Sequence, residues 1–152
     1  MLAINRIAVA GVGLFTLLLA ASPVSFAEEK ADISPQEIKG VPKVNAEEVF
    51  ALFEKTPGLV IIDSRLATGP SSGRANGYIE GSVSLPDIKT DCASLAKVIP
   101  KKNTPSLFYC NGPKCGRSAK AIEVALKCGY THLYWFRGGF EEWLQKGYPY
   151  IK

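Results

Sequence analysis

With 152 residues, 47% hydrophobic and 21% charged, the chain has the composition of an ordinary globular protein and enough apolar residues for a real core. A formal net charge of +4, with no basic run and no aromatic-basic interleaving, gives no footprint for nucleic acid. There are no internal repeats or low-complexity tracts.

The first residues read as a targeting segment. Arg6 supplies a positive start, Ile7 to Ala20 is almost unbrokenly apolar, and Ser25-Phe26-Ala27 offers small residues where a signal peptidase reads. Residues 1–27 are therefore expected to be a secretory signal peptide cut after Ala27, exporting the protein to the periplasm or medium with no stable membrane insertion afterwards. The apolar run is shorter than the roughly 18 to 20 residues of a membrane span. Residues 28–40 are polar and read as a flexible leader, and residues 41–152 as one domain.

Within that domain, Asn45-Ala46-Glu47-Glu48 has the form of a capping box, with Asn45 as N-cap. Val49, Phe50, Leu52 and Phe53 supply the apolar face of the following helix, which Pro57-Gly58 ends. Leu59 to Ile62 is a continuous apolar run, the mark of a parallel strand covered on both faces, and it stops at Asp63-Ser64-Arg65. A Gly/Ser-rich loop from Leu66 to Asn76 precedes a short strand, Val83 to Leu85. Asp91 to Val98 is helical, with Leu95 and Val98 inward. Leu107 to Tyr109 is a buried strand, followed by a glycine-containing loop and a helix from about Arg117 or Ser118. That helix turns Ala121, Ile122, Ala125 and Leu126 to one side and stops at Gly129. Thr131 to Phe136 is a fifth short strand, and Gly138-Gly139 leads into a small helix, Phe140 to Gln145. Strands alternating with helices predict an α/β fold with a mostly parallel sheet, in which ligands bind beyond the carboxyl ends of the strands.

Cys110 stands at such a strand end. A helix N-terminus stabilises an anion placed before it, and the amides of Asn111, Gly112, Pro113, Lys114, Cys115 and Gly116 lie in a loop able to curl around a common centre (Pro113 contributing shape rather than an N–H). Lys114 and Arg117 add positive charge, and all of these influences favour the thiolate, the attacking form of cysteine. The pattern predicts a nucleophilic sulfur beneath an oxyanion cradle, against the plainer reading of one more small buried hydrophobe.

Three further segments resemble the single-domain rhodanese (sulfurtransferase) family. Val60-Ile61-Ile62-Asp63-Ser64-Arg65 is similar to its strand ending in Asp-Val-Arg, and Gly77-Tyr78-Ile79-Glu80-Gly81-Ser82 to its Gly-His-Ile-Pro-Gly-Ala stretch. Gly138-Gly139-Phe140, Trp143 and Gly147-Tyr148-Pro149 follow its closing turn and terminus. The resemblance implies a three-layer fold with a mostly parallel five-stranded sheet flanked by helices. It implies Cys110 as the catalytic residue, taking sulfane sulfur from a small anion such as thiosulfate and passing it to a thiol or cyanide. It implies no cofactor, and the chain is expected to act as a monomer. Two departures stand out: Arg117-Ser118 follow Cys110 by seven and eight residues where the family has five and six, and Tyr78 replaces the customary histidine. A non-catalytic binding module, or a thiol oxidoreductase using Cys110 and Cys115, is the alternative.

The remaining polar residues read more plainly. Asp63 and Arg65 are expected to form a structural ion pair supporting the site. Cys92 and Cys128 are expected as core residues rather than a disulfide. Three roles stay open for Cys115: a resolving thiol, a second sulfur carrier, or a small residue that fits the loop. His132, the one histidine, reads as structural, and no standard metal-ligand spacing is present. Trp135, Phe136, Phe140 and Trp143 read as packing rather than a docking patch.

Overall fold

Four short strands, none longer than four residues, carry the fold: β1 (Val60–Asp63), β2 (Val83–Ser84), β3 (Ser106–Tyr109) and β4 (Leu133–Phe136). The computed structural model describes residues 34–69 and 73–152; the expected signal peptide, the start of the leader and residues 70–72 lie outside them. The strands are ordered β2-β1-β3-β4 and every pair is parallel. The sheet has four strands among the described residues rather than the expected five: the segment expected as the fifth, Thr131 to Phe136, is β4, and beside it Lys43 makes only a one-residue bridge to Trp135, with Pro42 contributing its carbonyl alone.

Register decides which side chains share a face. Ile62, Phe108 and Trp135 lie on one side and pack with Leu95, Ile99, Ala121, Ile122 and Ala125. Ile61, Leu107, Tyr109 and Phe136 lie on the other with Ala46, Val49, Phe140 and Trp143. Helices α2 (Cys92–Val98) and α3 (Arg117–Lys127) cover the first face, α1 (Ala46–Lys55) and α4 (Gly139–Gln145) the second. The result is the three-layer α/β arrangement that near-continuous apolar strands require.

Local signals explain the helix ends. Asn45 Oδ1 accepts from the Glu48 amide at 2.9 Å while Glu48 Oε2 accepts from the Asn45 amide at 2.8 Å, closing the capping box. Gly129 stops α3 with φ +83°, a conformation that favours glycine. The apolar faces are narrower than their periodicity suggests. Phe50, Phe53 and Leu126 are each about two-fifths exposed, so α1 buries Ala46 and Val49 and α3 buries Ala121, Ile122 and Ala125. Residues 34–40, expected within a loose leader, are tied back: Arg137 Nε donates to the Pro35 carbonyl at 2.8 Å, and Ile38 packs against the core beside Val41. Among the described residues no helix is long and apolar enough to cross a membrane.

One expectation is overturned here. Cys92 and Cys128 are not separate core residues; they form a disulfide, with Cα atoms 5.5 Å apart. Cys92 opens α2 and Cys128 caps α3, so the bridge joins the start of one helix to the end of its neighbour. Periodicity aims Cys128 inward but cannot show that α2 ends up beside it. Closing a loop of 36 residues is worth about 3 to 4 kcal/mol on chain entropy. The double variant Cys92→Ala/Cys128→Ala should lose about that much in urea unfolding, with the denaturant slope read alongside the midpoint to expose any change in the unfolded state.

Candidate active site

Residues from every layer converge at the carboxyl end of β3. Tyr109 is its last residue, Cys110 follows, and the loop Asn111–Gly116 returns the chain to the N-terminus of α3. Cys110 is 1% exposed. The loop is held at its centre by the Cys115 amide donating to the Gly112 carbonyl at 2.9 Å. It is held at its start by α4, whose first amides reach back: Phe140 N–H donates to the Cys110 carbonyl at 2.9 Å and Glu141 N–H to that of Asn111 at 2.7 Å. Two of the orphan donors of a helix N-terminus thereby fix the backbone of the candidate nucleophile. This contact needs glycine at 139. Its φ is +61°, and a Cβ there would run into the carbonyl of Cys110. The Gly138-Gly139-Phe140 turn is thus a clamp on the cysteine loop.

The sulfur has its own partners. The Ser118 hydroxyl, in the first turn of α3, lies 3.5 Å from Cys110 Sγ, and the Trp135 indole N–H donates to that same hydroxyl oxygen at 3.0 Å. With a donor occupying the oxygen, the hydroxyl proton is directed at sulfur, which favours its anionic form. On the other side Cys110 Sγ sits 3.0 Å from the Cys115 carbonyl oxygen, and the two cysteines are joined as a disulfide with Cα atoms 6.4 Å apart. The side-chain sulfur is capped by its loop partner in this state.

The charges are arranged differently from the simple expectation. Arg117 Nη1 donates to Asp87 Oδ1 at 2.7 Å, an ion pair between α3 and the 3₁₀ turn Asp87–Lys89. Its charge is spent on Asp87 more than on the loop. Lys114 is exposed and lines a cavity of about 220 Å³ with Asn111, Gly112, Cys115 and Glu141. Glu141 packs so closely on Gly112 that a side chain there would collide with its carboxylate. His132, bonded to the Tyr134 hydroxyl at 2.9 Å, precedes the start of β4, and β4 begins opposite Ser106. It therefore sits at the wrong end of the sheet, about 16 Å along the strand direction from Cys110.

Asp63 and Arg65 meet in a buried ion pair beneath the loop. Asp63, fully buried at the end of β1, accepts from Arg65 Nε at 2.9 Å and Nη2 at 2.7 Å, from Arg74 Nη1 at 3.0 Å and from the Tyr109 hydroxyl at 2.8 Å. Arg65 also donates to the Gly77 carbonyl at 2.8 Å, and its guanidinium lies 4.4 Å from the Phe140 ring centroid. Burial opposes the Arg65 charge, but the Asp63 carboxylate outweighs it and holds the guanidinium firmly protonated. Burial, then the Asp63 charge, pushes the Tyr109 phenol above its ordinary range. Sequence reasoning missed Ser118, Trp135, Gly139 and Tyr109 as parts of the site. The adjacent glycines before Phe140 and a serine in the first helical turn were the available signals.

With this geometry in place, the comparisons with known proteins fall into line. The family model described as a rhodanese-like domain matches residues 45–146, and the chain belongs to that family. Among solved structures, it is similar to a Bacillus halodurans protein at 20% identity and TM-score 0.61, covering 72% of this chain and 76% of that one. The polysulfide-sulfur transferase homodimer of Wolinella succinogenes matches at 21% identity and TM-score 0.58, covering 74% and 79%. A thiosulfate sulfurtransferase of Pseudomonas aeruginosa matches at 24% identity and TM-score 0.57, covering 73% of this chain but 20% of that longer one. At such identities the likeness carries the fold alone. No curated protein matches the chain.

Asp63→Asn should cost about 3 to 5 kcal/mol in denaturant unfolding, because it leaves the Arg65 charge buried without its carboxylate. Tyr109→Phe tests the same network through pH. The phenol stays neutral in the fold, so its contribution is complete below the unfolded tyrosine value of about 10 and is lost as pH rises above it. The stability gap between wild type and Tyr109→Phe should therefore narrow above pH ~10.

Proposed function

We propose that the chain is an exported sulfurtransferase that carries sulfane sulfur on Cys110. The observation that carries this reading is the position of Cys110, at the carboxyl end of the central parallel strand, ahead of α3 and within reach of the directed Ser118 hydroxyl. In the reduced chain, the Cys110 thiolate attacks the sulfane sulfur of a donor such as thiosulfate. The donor's sulfur–sulfur bond breaks, sulfite leaves with the electron pair, and Cys110 holds the persulfide. A thiol or cyanide then attacks the outer sulfur and releases the Cys110 thiolate. The loop amides of Asn111, Gly112, Lys114 and Gly116, with the Lys114 side chain, would receive the anionic part of the donor, the Cys115 amide being given to Gly112.

Two features support export. The apolar stretch with small residues before Glu28 has the form of a secretory signal, and the Cys92–Cys128 bridge suits an oxidising compartment. A second reading, thiol–disulfide exchange through Cys110 and Cys115, is favoured by the bridge between them.

The test measures sulfite released when the pre-reduced full chain meets thiosulfate. Release in proportion to protein, falling to the uncatalysed background in Cys110→Ser, is expected. No sulfite from wild type, with sulfate or thiosulfate still bound, would assign the fold to a non-catalytic binding module instead.

A further inference from the structure

We propose that Cys115 is a resolving thiol that discharges the Cys110 persulfide as hydrosulfide, so that the protein converts sulfane sulfur to sulfide at the expense of a dithiol. The proposal rests on the sulfurtransferase reading above and deepens it.

Three observations carry it. The first is placement: Cys115 lies in the same loop as Cys110 and is bonded to it, with Cα atoms 6.4 Å apart, inside the range a disulfide spans. The contact is therefore to Sγ of Cys110, the inner sulfur of a persulfide. A sulfur carrier would have to meet the outer sulfur instead. The second is how the loop is built. The Gly112 carbonyl accepts from the Cys115 amide, while α4 pins the carbonyls of Cys110 and Asn111, so the turn that brings the two sulfurs together is itself hydrogen-bonded. The third is asymmetric access. Cys110 is 1% exposed, whereas Cys115 is half-buried and lines the cavity of about 220 Å³ with Lys114 and Glu141.

The chemistry balances as follows. Cys115 Sγ attacks Cys110 Sγ of the persulfide, and the bond from Cys110 Sγ to the outer sulfur breaks. The outer sulfur leaves with the electron pair as hydrosulfide, carrying the proton that Cys115 gives up. Sulfane sulfur is thereby reduced by two electrons, and the two cysteines are oxidised to the disulfide. An external dithiol then attacks the more accessible Cys115 sulfur, expelling Cys110 as thiolate. Its second thiol closes the dithiol's own disulfide and frees Cys115. Attack from that side restores the nucleophile at once.

The experiment is a single turnover of the reduced full chain with thiosulfate after all free thiol has been removed. Sulfite, sulfide and protein mass are followed together, and peptide mapping locates any linked cysteines. Wild type should release one sulfide for each sulfite and end with a Cys110–Cys115 linked peptide. Cys115→Ser should keep the added sulfur atom on Cys110 and yield sulfide only when a thiol is supplied. Added dithiothreitol should make sulfide release by wild type continuous. Sulfite without sulfide, with the sulfur remaining on Cys110 of wild type, overturns the proposal while leaving the sulfurtransferase reading intact. Sulfur found on Cys115 overturns it in favour of a carrier. Absence of sulfite overturns both readings.

Discussion

A single buried carboxylate, Asp63, organises the end of the sheet where the site lies. Taking it out of water is unfavourable unless its oxygens are satisfied, and two arginines and a phenol do so. Each of those donors belongs to a different part of the site's surroundings. Arg65 begins the loop after β1, Arg74 holds the Ser82 hydroxyl and carbonyl at 2.8 and 2.7 Å, and Tyr109 is the residue before Cys110. A charge that must be neutralised thus ties both ends of the connection between β1 and β2 to the base of the cysteine loop. The same network reaches α4 through Arg65 stacked on Phe140, and α4 in turn donates two backbone hydrogen bonds to Cys110 and Asn111.

The longer loop sets this chain apart from the family pattern it otherwise follows. Two added positions between Cys110 and Arg117 have two visible consequences. Arg117 begins α3 within reach of Asp87, so its guanidinium serves the packing of the helix start against the 3₁₀ turn. Cys115 is also brought round to its neighbour's sulfur. The Arg117 guanidinium is thereby turned to Asp87, and the loop holds a second cysteine bonded to Cys110.

How much was legible in the sequence follows from the range of each interaction. The strand, cysteine, loop and helix around Cys110 are contiguous, and hydrophobic pattern with glycine placement was enough to find them. The capping box at Asn45 and the stop at Gly129 are equally local. What escaped was long-range. The Cys92–Cys128 bridge depends on which helices become neighbours, and Trp135 reaches Ser118 only because β4 lies beside β3. The Asp63–Arg65 pair was expected because they stand two positions apart at a strand end; the Tyr109 hydroxyl, 46 positions away, was not. The five-stranded count exceeds the sheet by one: the segment read as the fifth strand is β4, and beyond it one bridge at Lys43, next to Pro42, is all the ladder that forms.

The two disulfides answer to opposite demands, and their surroundings separate them. Cys92–Cys128 joins the ends of two helices across 36 residues, where a large loop entropy is removed. Cys110–Cys115 closes only five positions, so its effect on the unfolded chain's entropy is about half that of the longer bridge. That second bridge instead covers a sulfur that has a directed hydroxyl on one side and a helix N-terminus ahead of it. A structural role would not require such surroundings, and a free thiolate is open to irreversible oxidation beyond the sulfenic stage, which a disulfide blocks. Bonding it to a more accessible cysteine in the same loop meets both constraints: the thiolate-favouring environment is kept, and the sulfur is released only where a reductant is present to open the bridge.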